Sequence, residues 1–174
     1  LNPAGSGLAY ATFLGGSGEG ELAAWIGVQL NALGFDVTFE DAAPGRPNLI
    51  AHRPGKGQAP PLMFCGHLDT VGVDGMQRPF DPVEREGRLY GRGAQDMKGG
   101  VAAMIHAVES VLHANGLPSG RLIVAAVADE EYASAGAEAL VARLHADAAV
   151  ITEPTDLAVG VAHKGFSAAE IVTH

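Results

Sequence analysis

Seven apolar residues, Leu122 to Ala128 in "RLIVAAVA", follow one another without a polar break and run straight into Asp129, Glu130 and Glu131. A strand with one wet face alternates apolar and polar residues; an unbroken run of this length is the pattern of a strand buried on both faces. Such a strand needs helices on either side of its sheet. "GELAAWIGVQLNALG" supplies one, with Leu22, Ile26, Leu30 and Leu33 on a single face and Gly34 as its stop. "MKGGVAAMIHAVESVLHANG" supplies a longer one, with Val101, Ile105, Val108 and Leu112 inward and Gly116 at its end, and "SAGAEALVARLH" a third. "DVTFE", "NLIAH" around the "APGRP" turn, "PLMFC" and "AAVIT" read as strands, the last also as a buried one. "VEREGRLYG" reads as a hairpin, and "LAVGVAH" and "FSAAEIVTH" as further strands. The order predicts an α/β domain with a largely parallel mixed sheet flanked by helices.

Composition limits the partners. With 20 acidic against 11 basic residues the formal net charge is −9, and no basic stretch exists, which argues against nucleic acid or an anionic membrane. No apolar run reaches the roughly 18 residues of a membrane span. The lone Cys65 permits no internal disulfide, so a cytoplasmic setting is expected. It reads as a small core hydrophobe.

The strand ends carry the chemistry. "PLMFC" is followed, after one glycine, by His67; "RLIVAAVA" by Asp129, Glu130 and Glu131; "AAVIT" by Glu153. In open α/β sheets the site lies at the carboxyl ends of the strands. Asp96 follows the glycine-rich "GRGAQ", near a helix start, where it serves as a cap, a ligand or both. One imidazole with several carboxylates and no thiolate suits Zn²⁺, Mn²⁺ or Co²⁺ in a reactive centre rather than a structural zinc. Carboxylates so close together repel unless a cation lies between them. Asp129 to Glu131 taken alone also fits a solvated acidic turn. His52, His106, His113 and His145 read as surface or packing residues. The glycines of "GRGAQDMKGG" follow no buried strand and are not a dinucleotide or phosphate loop.

"GHLDTV", "GRGAQDMKGG", "ADEE" and "TEPT", in this order, resemble the acetylornithine deacetylase, succinyl-diaminopimelate desuccinylase and carboxypeptidase G family of dinuclear zinc hydrolases. The resemblance extends from "GEGELAAW" to "AHKGF"; His163 and Lys164 match a family segment without receiving a role, and Gln95 stands where a small residue is more usual. It implies that His67 binds one metal, that Asp69 orients the His67 ring, and that Asp96 bridges two metals through a cis Asp96–Met97 peptide. It further implies Glu130 as general base, Glu131 as ligand of the second metal, and Glu153 as a further ligand of the metal held by His67. Two Zn²⁺ per catalytic domain are implied, with Co²⁺ or Mn²⁺ as substitutes.

The implied activity is hydrolysis of amide bonds in N-acyl amino acids or small peptides by a metal-activated water. Residues 1–174 would be the N-terminal part of a zinc-peptidase-like catalytic domain. A lid that forms homodimers, the rest of that domain and a last histidine ligand would lie beyond them, leaving this segment inactive alone. The second reading is a catalytically silent relative that binds or assembles; an intact base beside the ligands favours the enzyme.

Overall fold

In the computed structural model, residues 18–162 and Gly165 are described. The elements follow the predicted order. Helix α1 spans Glu19–Ala32 and leads into strands β1 (Asp36–Ala43), β2 (Arg46–Pro54) and β3 (Leu62–His67). A small antiparallel hairpin of β4 (Val83–Arg85) and β5 (Arg88–Tyr90) follows. An irregular turn, Ala94–Gly99, then enters helix α2 (Gly100–Ala114). Strand β6 (Arg121–Val127), helix α3 (Ala135–Val141) and strand β7 (Ala148–Ile151) are the last among the described residues.

The five-stranded sheet has the order β1-β2-β6-β3-β7. β3 pairs in parallel with both β6 and β7, whereas β2 runs antiparallel to β1 and β6. Four strands therefore share one direction, and the expected largely parallel mixed sheet is found. Among the described residues no helix is long and apolar enough to cross a membrane.

The period of two along β6 explains its unbroken apolar sequence. Leu122, Val124 and Ala126 point into a core shared with Leu22, Ile26 and Leu30 of α1 and Val101, Ile105 and Val108 of α2. Ile123, Ala125 and Val127 point the other way, into a smaller core with Ile50, Met63 and Leu140 of α3. Both faces of the strand are covered, so neither tolerates a polar side chain.

Three expectations need correction. "PLMFC" does not end at Cys65: the strand continues through Gly66 to His67, paired with Ala126 and Val127 of β6. "AAVIT" forms β7 but is not buried; Ala148 to Ile151 are all exposed, and among the described residues the strand has β3 on one side only and joins neither core cluster. "LAVGVAH" forms no strand over residues 157–162, where no neighbouring strand among the described residues offers a ladder. His163, Lys164 and "FSAAEIVTH" lie outside the described residues.

Candidate metal centre

Two glycines let the site's arms meet. A Cβ on Gly66 would stand 2.9 Å from Val101 Cγ2 and 3.0 Å from Met97 Cε, so any side chain there would press on the Ala94–Gly99 turn and the start of α2. A Cβ on Gly100 would come 2.0 Å from the carbonyl oxygen of Thr152. The start of α2 thereby packs directly beneath the residue before Glu153. These approaches bring Asp96, from the turn, to both His67 and Glu153.

Asp96 does not cap α2. The helix begins at Gly100 with Gly99 before it and no side-chain cap, and Asp96 itself has extended dihedrals (φ −114°, ψ 105°). The Asp96–Met97 peptide is cis, as the resemblance implied. The Asp96 carboxylate lies 3.1 Å from His67 Nε2. The same ring nitrogen is 3.7 Å from Glu153 Oε1 and 3.9 Å from Glu130 Oε2. Donor atoms of His67, Glu130 and Glu153 all lie within 4.8 Å of one another, and so do those of His67, Asp96 and Glu131. Five residues singled out in the sequence are thus in one place: His67, Glu130, Glu131 and Glu153 just at or beyond the carboxyl ends of β3, β6 and β7, and Asp96 from the turn before α2. The grouping differs in detail from the implied one, since Glu130 stands with Glu153 and His67 joins both sets.

Asp69 holds the centre in a way its sequence position does not show. His67 Nδ1 meets the backbone carbonyl of Asp69 at 3.0 Å, closer than the Asp69 carboxylate at 3.5 Å. With Nδ1–H donating there, a neutral ring presents its lone pair at Nε2, toward the carboxylates. The Asp69 carboxylate, beside its contact with His67, also accepts from the chain after β6. Its Oδ1 accepts from the amide of Glu130 (3.0 Å) and its Oδ2 from the amide of Glu131 (2.9 Å).

The electrostatics are those of a crowded acid cluster. Burial and the neighbouring Asp96 push the Glu131 carboxyl upward. Burial pushes Glu153 up to about 6, with Asp96 and Glu130 adding to the shift and His67 opposing it. For His67, burial favours the neutral ring, but Asp69, Asp96 and Glu153 together outweigh it and raise the pKa to about 9. Asp69 shows the reverse balance: burial is outweighed by His67 and by the amides of Glu131 and Glu130, leaving it at about 2. The outer side chains remain reachable, Asp96 being 53% and Glu130 41% exposed, while His67 is 1% exposed at the floor. Acids raised by burial and by one another's charge around one imidazole are a donor set that a divalent cation relieves, so the residues present fit such an ion.

Three participants escaped the sequence reading. Lys98 is 2% exposed, and its Nζ has no hydrogen-bond partner among the described residues. Burial lowers its pKa to about 8 against the pull of Asp69, Glu19, Asp96 and Glu131. Glu19 and Arg46 form an ion pair behind the Glu130–Glu131 turn. A lysine inside "DMKGG" was a visible signal; nothing in "GRPN" or "GEGE" marks the other two, whose partners are far away in the chain.

The model of "Peptidase family M20/M25/M40" matches residues 63–171. The chain is 37% identical over 140 residues to N-formyl-4-amino-5-aminomethyl-2-methylpyrimidine deformylase of Bacillus subtilis, covering 76% of this chain and 33% of that protein. It is 39% identical over 143 residues to acetylornithine deacetylase of Proteus mirabilis, covering 78% and 36%. It therefore spans about a third of the length of these curated relatives. Among solved structures, a tripeptidase of Staphylococcus aureus superposes with a TM-score of 0.69 at 26% identity, over 85% of this chain and 42% of that one.

Proposed function

The chain belongs to peptidase family M20/M25/M40, and from that premise we propose that it carries the metal-binding and proton-transfer residues of an amide hydrolase acting on N-acyl amino acids or small peptides. The observation that carries this reading is the convergence of His67 with Asp96, Glu130, Glu131 and Glu153 at the ends of three strands. The names of the deacetylase and deformylase relatives support an N-acyl substrate, and that of the tripeptidase a peptide.

In this reading His67, Asp96, Glu131 and Glu153 would hold zinc. Cobalt or manganese would suit the same nitrogen and oxygen donors. When bound, the metal supplies Lewis-acid polarisation of the amide carbonyl and lowers the pKa of water. Glu130 takes the proton of the attacking water and delivers it to the leaving nitrogen; its side chain is exposed enough to meet substrate while its backbone is fixed by Asp69. Asp69 is a positioning residue, fixing the His67 ring through its carbonyl and the acid pair through its carboxylate. Residues 1–174 act as the first part of a longer catalytic domain, inactive alone and completed by a lid and a further ligand.

The test is hydrolysis by the complete, zinc-loaded protein of N-acetyl amino acids, N-succinyl amino acids, N-formyl amines and dipeptides. Turnover of one class, abolished by a chelator and restored by zinc, is expected. Zinc bound at the site with no turnover of any class would instead favour a binding module.

A further inference from the structure

Asp129, Glu130 and Glu131 donate three successive backbone amides to two carboxylates that arrive from different parts of the chain. Glu19 Oε1 accepts from the amide of Asp129 at 3.1 Å, and the two Asp69 oxygens accept from Glu130 and Glu131. Asp129 has φ +63°, a left-handed backbone in a non-glycine residue, which Asp tolerates better than most side chains. This conformation turns the chain back over the end of β6, so that the next two side chains face the pocket.

The turn is anchored from behind by a guanidinium. Arg46, at the start of β2, pairs bidentately with Glu19 (Nε–Oε2 2.6 Å, Nη2–Oε1 2.7 Å), and its Nη1 donates to Asp129 Oδ1. Glu19 and Asp129 are 5% and 4% exposed, so these charges are held by one another rather than by water. Two residues along β2, Asn48 accepts from the amide of Ala128 and donates to the carbonyl of Gly136, closing the same turn from its flank. An ion pair in this position is unlike a surface pair, whose loss is commonly unfelt.

We infer that Glu19, Arg46 and Asp129 form a positioning network that sets where Glu130 and Glu131 stand in the centre. The inference rests on the reading of those two acids as base and ligand. Because the three amides are consecutive, a shift of the Asp129 peptide displaces both acids together. Displacements of about 1 Å at reacting groups cost on the order of 10²-fold in rate. The network therefore acts on catalysis and on metal retention while touching neither substrate nor metal.

The experiment compares Asp129→Gly with Asp129→Asn in the complete protein. Glycine accepts the left-handed backbone without strain but gives Arg46 no acceptor; asparagine accepts the same backbone and keeps an oxygen for Arg46. For Asp129→Gly the expected result is a kcat lower by about 10–100-fold with KM within about threefold. Zinc affinity, read by chelator competition, and the visible absorption of the cobalt-loaded protein should change alongside. Asp129→Asn should recover most of each. Arg46→Lys keeps the charge without the bidentate fork and should fall between them; it replaces the glycine variant if that one fails to fold. A lowered unfolding temperature with unchanged kcat, zinc affinity and cobalt spectrum would overturn the inference and leave the network as scaffold. If the wild-type protein hydrolyses nothing, the catalytic reading fails separately, and zinc affinity with the cobalt spectrum still decides whether the turn is set by this network.

Discussion

β6 and β7 are written in the same alphabet and have opposite fates. "LIVAAV" on β6 is buried throughout, and "AAVI" on β7 is exposed throughout, Ile123 at 0% and Ile151 at 54%. Composition does not separate them; position in the sheet does. β6 lies between β2 and β3 with a core on each face, and among the described residues β7 is held by β3 alone. The acids that follow inherit the contrast. Glu130 and Glu131 sit on a turn clasped by Asp69, Glu19 and Arg46, whereas Glu153 reaches the centre from the end of an edge strand. A central strand can be tied from several directions at once, and an edge strand from few.

The largest effect that tests this contrast is catalytic. In the complete protein, Glu130→Gln should reduce turnover by roughly 10²–10⁴-fold with zinc content unchanged, since it removes a proton carrier from a turn that stays in place. Glu153→Gln should instead lower zinc content. Metal analysis beside initial rates checks both, and equal metal loss in the two variants would mean that Glu130 is a ligand and not the base.

Stability comes next. Ile123→Ala empties a position sealed in the smaller core and should cost about 2–5 kcal/mol in denaturant unfolding. Ile151→Ala should cost under about 1 kcal/mol. A loss at Ile151 approaching that at Ile123 would break the contrast by showing that a surface outside the described residues covers β7.

The smallest effects are in pH dependence. Asp69 has its pKa lowered to about 2, so its contribution to the metal-free fold is present above about pH 4 and is lost as pH falls through 2. From the ordinary aspartate value of 3.8 this amounts to about 2 kcal/mol, which Asp69→Asn should remove at pH 7 and not at pH 2. Glu153 has the opposite sign. Its pKa, raised to about 6, makes the metal-free fold most favoured with the acid protonated, and that advantage is lost as pH rises through 6. Glu153→Gln should therefore stabilise the metal-free protein at pH 8 relative to wild type and show no gain near pH 4. Thermal unfolding across pH, with chelator present, reads both; a Glu153 curve that parallels that of Asp69 would show that the edge acid is paired as firmly as the clasped one.

Much of this was legible in the chain because it rests on local rules. Apolar period and turn residues located α1, α2, β2, β3 and β6; the rule that strand ends carry function picks His67, Asp129, Glu130, Glu131 and Glu153, and the resemblance separates the two glutamates from Asp129. The burial assigned to β7 was misread because four apolar residues state a preference for cover and not its supply. A strand over 157–162 was misread for a related reason: strand pattern is an offer to pair, and no partner answers it among the described residues.

What the sequence determined by itself was therefore the alternation of elements, the double-faced burial of β6 and the identity of the acids and histidine at the strand ends. These depend on the spacing of neighbours along one segment. What only the tertiary structure decided was the company each residue keeps. It assigned the Asp69 carboxylate to two amides 61 and 62 residues away rather than first to His67, and brought Glu19 to the amide of Asp129 across 110 residues. Among the described residues it also left Lys98 without a hydrogen-bond partner and β7 at the edge of the sheet. Hydrogen bonds and ion pairs act over a few ångströms of space with no regard for distance along the chain, so their partners exist only once the sheet has assembled.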